Sequence, residues 1–278
     1  MPEGAEVRHM SNCLNEVLNG KMCSHVLIFP RSRYFNKEFH RSCPLEYKQA
    51  NGYKYVECGL ILNSVLSKGK KIIFDLGHIR FISSCLLHGH WSWELEEYTS
   101  IGLVFGDKIA FYSDMANEGY FSICQYPGPD YTHILKDVGP DLLTDEVTYE
   151  VYYATIRNPR IKNKEICDFM MEQQRIAGIG NIYRADILFT CRIHPRRTLE
   201  NISDQEVYYL FYYSKVILFT ALNSKGTTIQ SYRDPNGNVG GYKPVCYGRE
   251  ITDEGYSIIK TENDKNDRTI YFCPMLQR

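Results

Sequence analysis

Residues 164–189 read KEICDFMMEQQRIAGIGNIYRADILF, and the fold turns on the middle of that stretch. Lys164 to Gln174 is helical in character, Gly178-Ile179-Gly180 is a tight glycine-bearing turn, and Asn181-Ile182-Tyr183 opens a second helix. The order is helix, two turns, helix. Glycines let backbone N–H groups approach a phosphate closely, a helix N-terminus favours an anion, and Asn181 adds a side-chain donor. The same residues also read as a packing turn between helices, and the spacing does not choose.

Outward from this stretch the second half is α-rich. Thr144 is expected to cap one helix, and Ser203-Asp204-Gln205-Glu206 has capping-box spacing for another that runs to about Ser224, with Gly226 after it. Ser231 to Lys243 is a loop of Gly, Pro and Asn, and Tyr256 to Lys260 and Arg268 to Phe272 read as two tail strands. In the first half, Val7, Met10, Leu14, Val17 and Leu18 follow helical spacing before Gly20, which predicts a helix over 5–18. Tyr53 to Cys124 then alternates short β-branched and aromatic runs with Gly77-His78 and Gly106-Asp107, the pattern of an antiparallel sheet or sandwich. Turns at Tyr126-Pro127-Gly128-Pro129-Asp130 and Gly139-Pro140-Asp141 mark a boundary. The expected fold is α+β: a helix plus β-sandwich domain over 1–135, then a helical domain over 136–278 that ends in a hairpin at about 245–278.

The chain has 278 residues, 44% of them apolar and 23% charged, which suits a soluble globular protein and provides no run long enough for a bilayer. Its acidic start lacks a secretory pattern, so an intracellular protein, cytoplasmic or nuclear, is expected, with no membrane partner. The ten cysteines never lie closer than ten residues apart. Zinc sites normally draw on closely spaced ligand pairs, so reduced thiols, no metal and no cofactor are expected. Net charge is −1, but residues 155–197 hold nine bases against four acids, which predicts a basic face; residues 94–118 hold six acids and only Lys108.

Pro2 followed by Glu3 is the first place for chemistry. Removal of Met1 leaves the secondary amine of proline as the amino terminus, and an α-amino group, with a pKa of about 7.7–8.0, is partly neutral near neutral pH. Attack on a sugar aldehyde carbon gives an iminium, which acidifies the adjacent C–H and permits phosphate elimination; Glu3 beside it has the means to protonate a ring oxygen. The plain alternative is a solubilising terminus.

Taken together these residues resemble the formamidopyrimidine-DNA glycosylase and endonuclease VIII family of base-excision enzymes, and the resemblance covers the whole chain. Its pieces stand in the family's order: Met1-Pro2-Glu3-Gly4 with Glu6, Ser67-Lys68-Gly69-Lys70, Gly139-Pro140-Asp141, the Gly178-to-Phe189 turn and helix, Ile193-His194-Pro195, and Arg268-Thr269-Ile270-Tyr271-Phe272-Cys273. The resemblance implies Pro2 as Schiff-base nucleophile and Glu3 as general acid, with Lys70, Asn181 and Arg268 as phosphate ligands. Lys70 alone is one of three neighbouring lysines, with 68 and 71. Gly180 and Tyr183 of the turn belong with the DNA-binding residues, and Glu6 and Asp186 match positions of carboxylates near the site. A monomer acting on damaged DNA, single-stranded or duplex, is implied.

Two departures from the family pattern matter. Of its two CxxC pairs, the first falls near Ile251 and Glu254, and in the second Cys273 stays while Leu276 replaces its partner, so the hairpin resembles the zincless finger of an endonuclease VIII-like branch. Family members that read the opposite base fill the gap left by the extruded nucleotide with three side chains. Leu87 matches the first, but Asp114 to Tyr120 offers no arginine and is acidic. The resulting expectation is a bifunctional glycosylase and lyase that removes oxidised bases, pyrimidines favoured, by β,δ-elimination and accepts single strands. Its rivals are a glycosylase preferring oxidised purines, a non-catalytic damage-binding protein, and an RNA-binding protein that shares only the helical turn.

Overall fold

The computed structural model describes residues 2–35, 45–50, 52–229, 232–261 and 268–278; Met1, Cys43, Ser231 and the polar tail loop 262–267 lie outside the described residues. The chain forms two units. The first comprises Met1–Pro2, Glu6–Lys136 and Ile229–Gly240, the second Glu3–Ala5, Asp137–Thr228 and Gly241–Arg278.

Helix α1 (Gly4–Leu18) buries Val7, Met10, Leu14 and Leu18, the stripe that its spacing required, and ends before Gly20, whose φ of 76° suits glycine. Among the described residues ten strands follow: β1 (Met22–Ile28), β2 (Tyr47–Ala50), β3 (Tyr53–Ile61), β4 (Ser64–Lys68), β5 (Lys71–Asp75), β6 (Ile79–Ser84), β7 (Gly89–Ser92), β8 (Thr99–Phe105), β9 (Lys108–Asp114) and β10 (Tyr120–Gln125). They form two antiparallel sheets, one of order β2-β3-β1-β8-β9-β7 and one of order β10-β6-β5-β4. Trp91 of β7 is fully buried against Phe74 and Phe121 of the other sheet, at 5.0 and 6.2 Å between ring centroids, and its indole N–H donates to Ser83 Oγ at 3.2 Å. This aromatic layer makes the two sheets a sandwich. Helix α2 (Pro129–Leu135) stands where the sequence reads as a turn: Pro129 occupies its first turn, where the missing N–H costs nothing.

In the second unit, α3 (Tyr149–Ile156) is capped by Thr148, whose side chain accepts from Val151 N, and not by Thr144, which hydrogen-bonds within the preceding turn to Asp141 O and Glu146 N. Next come α4 (Ile166–Met171), α5 (Asn181–Thr190) and α6 (Asp204–Asn223). Ser203 and Glu206 form the complete capping box on α6, and its end at Asn223 lies one residue short of expectation. The tail pairs β11 (Ile259–Thr261) with β12 (Ile270–Phe272), shorter than the runs that announced them.

Candidate active site

The first turn of α5 has N–H groups without helical partners, and its N-cap is Gly180, which carries no side chain to receive them. Glu3 does so instead. Its Oε2 accepts from Gly180 N at 3.0 Å and Tyr183 N at 3.3 Å, and its Oε1 from Ile182 N at 2.9 Å. The side chain is 1% exposed. A Cβ on Gly180 would overlap the Glu3 carboxylate, so the glycine is what admits it. Gly4 N donates to Gly178 O at 2.8 Å, and a Cβ on Gly4 would come within 2.7 Å of Gly178 Cα and O. Gly178 itself has φ 111°, a conformation that few side chains tolerate. Gln173, which the sequence did not single out, pins the turn: its Nε2 donates to Ile179 O at 2.7 Å and its Oε1 accepts from Gly178 N at 3.2 Å. The acceptor that the glycine turn receives in this structure is therefore a carboxyl group of the chain itself. Pro2, buried, is the residue bonded to it.

Asn181 and Arg268 are drawn to one place, because Asn181 Nδ2 donates at 3.0 Å to the carbonyl of Thr269, the neighbour of Arg268. Asn181 Oδ1 accepts from the buried Arg184, whose other arm reaches Cys167 O in α4 at 3.2 Å. Asp186, fully buried, accepts from Tyr242 Oη at 2.7 Å and from the backbone N–H groups of Val245, Cys246 and Tyr247 at 2.9–3.0 Å. Burial pushes its carboxyl above the usual range, while Tyr247, Tyr242, Cys246 and Val245 pull the other way.

Glu6, Lys70 and Leu87 belong to the first unit. Glu6 is fully buried. Lys70 stands with Gly69 in the two-residue turn between Lys68 and Lys71, which face each other in register, so hairpin geometry separates it from the strand lysines. Leu87 is 36% exposed beside Leu86, whose φ of 46° is a strained value for a leucine.

Residues 138–233 match the formamidopyrimidine-DNA glycosylase H2TH domain. A formamidopyrimidine-DNA glycosylase of Listeria innocua is 27% identical over 289 positions, covering all of both chains, and one of Oceanobacillus iheyensis is 27% identical, covering all of this chain and 98% of its own. The chain is thus similar over its whole length to formamidopyrimidine-DNA glycosylases, and its helical segment matches their H2TH domain. Its fold agrees: the MutM (Fpg) protein of Thermus thermophilus superposes with a TM-score of 0.83 at 22% identity, over 99% of this chain and 98% of that one. The Lactococcus lactis Fpg in complex with abasic-site DNA gives 0.81 at 21%, over all of both chains.

Against this glycosylase background the 114–120 loop differs from its sequence reading. Asp114, 5% exposed, turns its carboxylate inward to Ala116 N and Gly119 N at 3.1 and 2.5 Å, which removes one of the loop's two acids from its surface. An arginine arrives from elsewhere: Arg33 donates to the carbonyls of Asn117, Glu118 and Gly119 at 3.1–3.4 Å. No local signal announces a contact between residues more than eighty positions apart.

The expected basic face of 155–197 is largely neutralised. Arg157, Lys162, Arg197 and Arg192 pair with Asp204, Glu200, Glu206 and Glu254, acids outside the segment. Lys164 and Arg175 share Glu172, and Arg196 meets Glu165. Cys246 and Cys273 are fully buried with Ala185, Phe189 and Ile258, with Leu276 packed against them, and burial pushes the Cys246 thiol up to about 12. Among the described residues, no helix is long and apolar enough to cross a membrane.

Proposed function

We propose that this chain is a bifunctional DNA glycosylase and abasic-site lyase of base excision repair, with Pro2 as nucleophile. The observation that carries the reading is the fixed, buried Glu3 beside Pro2, held through three backbone N–H groups of the glycine turn. After Met1 is removed, the Pro2 amine attacks C1′ of an extruded nucleotide. The glycosidic bond breaks and the base departs with the bonding pair and a proton. Opening of the C1′–O4′ bond, with a proton delivered to O4′ by Glu3, leaves the iminium. Loss of a C2′ proton then expels the 3′ phosphate, δ-elimination expels the 5′ phosphate, and water releases Pro2.

Lys70 and Arg268, with Asn181, Gly180 and Tyr183 on the α5 side, are proposed to receive the DNA backbone, and Leu87 to enter the gap left by the flipped base. Glu6 and Asp186 support these elements from within. A catalytic domain over 1–135 and a DNA-binding domain over 136–278 are proposed, apart from the exchanged segments 3–5 and 229–240, acting as a monomer without cofactor in the reaction. The hairpin at about 245–278 works as a zincless finger, its cysteines packed as apolar groups.

Oxidised pyrimidines are the proposed substrates, from resemblance to the endonuclease VIII branch. Oxidised purines are the second reading, favoured by the formamidopyrimidine names of the matched relatives. With Leu87 as its one proposed gap-filling side chain, the chain is proposed to accept single strands, which need no gap-filling.

Borohydride trapping tests the chemistry. Protein shown by mass spectrometry to begin at Pro2 yields a covalent adduct at an abasic site, and Pro2→Gly or retention of Met1 reduces or abolishes it. No adduct from the processed protein overturns the reading in favour of a non-catalytic damage-binding protein. An excision panel over oxidised purines and pyrimidines, in single strands and duplexes, decides the substrate.

A further inference from the structure

His9 and Cys13 stand one turn apart on α1, and the loop that begins at Tyr232 brings Asp234 to them; all three belong to the first unit. His9 Nε2 lies 3.3 Å from Asp234 Oδ2 and 3.6 Å from Cys13 Sγ, and the three ligand atoms fall within 4.8 Å of one another. The His9 ring nitrogen thus faces both neighbours at once. One ring nitrogen carries either one proton or one in-plane lone pair. A protonated Nε2 can aim at the carboxylate or at the sulfur, and an unprotonated one turns its lone pair toward carboxylate oxygen.

A cation in the middle serves all three atoms. Zinc bonds of about 2.0–2.1 Å to nitrogen, 2.3 Å to sulfur and 2.0 Å to oxygen at tetrahedral angles give an N···O edge of about 3.3 Å and an N···S edge of about 3.6 Å. The two edges at His9 stand at 3.3 and 3.6 Å, and the sulfur-to-carboxylate edge is within 4.8 Å.

The surroundings fix the carboxylate as a ligand's supports would. Asp234 Oδ1 accepts from Asn236 N and Asn238 N, both at 2.9 Å, and Oδ2 from Asn238 Nδ2 at 3.2 Å. The side chains of Asp234 and His9 are 3% and 13% exposed. Tyr232, two residues before Asp234, buries its hydroxyl with no hydrogen-bond partner among the described residues.

We propose that His9, Cys13 and Asp234 form a mononuclear site for a divalent transition metal of the zinc class, with water in the fourth position. Cys13 binds as thiolate and releases its proton to solvent, His9 binds as neutral imidazole and Asp234 as carboxylate, so the two ligand charges balance the dication. Sulfur and imidazole favour zinc or cobalt over magnesium or calcium. The bound ion fastens the 232–240 loop to α1. Close cysteine pairs are absent from the sequence, but this donor set comes from one helical turn and a residue more than two hundred positions away.

The test uses the full-length protein, freed of metal with a chelator and titrated with Co²⁺. The wild type should take up one equivalent, with tetrahedral d–d bands and a thiolate-to-cobalt charge-transfer band that Zn²⁺ displaces, and Zn²⁺ should raise its Tm. Cys13→Ala and His9→Gln, checked for native circular dichroism, should lose the charge-transfer band and bind at least about tenfold more weakly. A Cys246→Ser, Cys273→Ser double variant should keep both signals. Absence of stoichiometric cobalt on the folded wild type overturns the proposal, as do unchanged spectra in both ligand variants or loss of the band in the hairpin double variant.

Discussion

Glu3 and Asp186 are both buried carboxylates received by backbone N–H groups, and α5 takes part in both arrangements in opposite senses. Glu3 comes from outside the helix and accepts from its first turn, at Gly180, Ile182 and Tyr183. Asp186 belongs to the helix and accepts from Val245, Cys246, Tyr247 and the Tyr242 hydroxyl. The first arrangement fixes the residue bonded to Pro2; the second fastens to α5 the segment that leads toward the hairpin. Burial and a full set of donors therefore do not mark a reacting carboxylate. Glu3 is proposed as the reacting one because Pro2 is beside it in the chain.

The largest effect is expected where the Glu3 arrangement depends on one missing atom. Ala at position 180 would place a methyl group against the Glu3 carboxylate. A displacement of about 1 Å in a reacting constellation costs on the order of 100-fold. Gly180→Ala should lower the single-turnover rate of adduct formation by about that factor while circular dichroism stays native. An unchanged rate would show that Glu3 need not sit on the turn.

Amide substitution sharpens the contrast. Gln at position 3 provides one acceptor oxygen where two oxygens now serve three donors, and Asn at 186 creates the same mismatch. Each should cost about 1–3 kcal/mol of stability through unsatisfied buried groups, measured by denaturant unfolding. Activity should divide them: Glu3→Gln impairs base removal far more than cleavage at a preformed abasic site, whereas Asp186→Asn changes both by the same factor at a temperature where it is folded. If Asp186→Asn also separates the two activities, the distinction drawn here fails.

Features readable from the sequence were those written in consecutive residues. The stripe of α1, the capping box at Ser203 and Glu206, and the glycines at 178 and 180 each obey a short spacing rule, and each stands where that rule puts it. Local rules also misled: Pro129 reads as a breaker but opens α2, and Thr144 and Thr148 are interchangeable as caps until the turn at Asp141 claims the first. Most of the basic surplus of 155–197 disappears in the fold because four of its nine bases have partners at 200, 204, 206 and 254. Contacts such as Glu3 to Gly180 or Arg33 to Gly119 join residues 177 and 86 positions apart, and no periodicity encodes them. That Pro2 and Asn181 serve the same chemistry was an implication of family resemblance, not of spacing.

A third carboxylate gives the smallest predicted effect and checks the comparison from the solvent side. Glu206, whose side chain is 27% exposed, accepts from Arg197 at 2.6 and 2.9 Å and from Ser203 N at 2.8 Å. The Arg197 guanidinium, aided by Ser203, holds its carboxyl down at about 2, from an ordinary 4.5. A depressed pKa in the fold means that the unfolded chain takes up the proton first as pH falls. The stabilisation is therefore complete above pH 4.5 and is lost on descending toward pH 2. Asp186, raised by burial, has the opposite sign: its folded carboxyl keeps a proton to higher pH, so its contribution declines as pH rises above the usual carboxylate range. Partial exposure reduces the Glu206 contribution to about 1 kcal/mol. Glu206→Gln should thus lower Tm slightly near neutral pH, and its curve should converge on that of the wild type as the medium is acidified toward pH 2. Curves that stay parallel over the whole acid range would show that the pairing with Arg197 contributes nothing to stability, and the acid sensitivity of the helical unit would then have to come from other carboxylates.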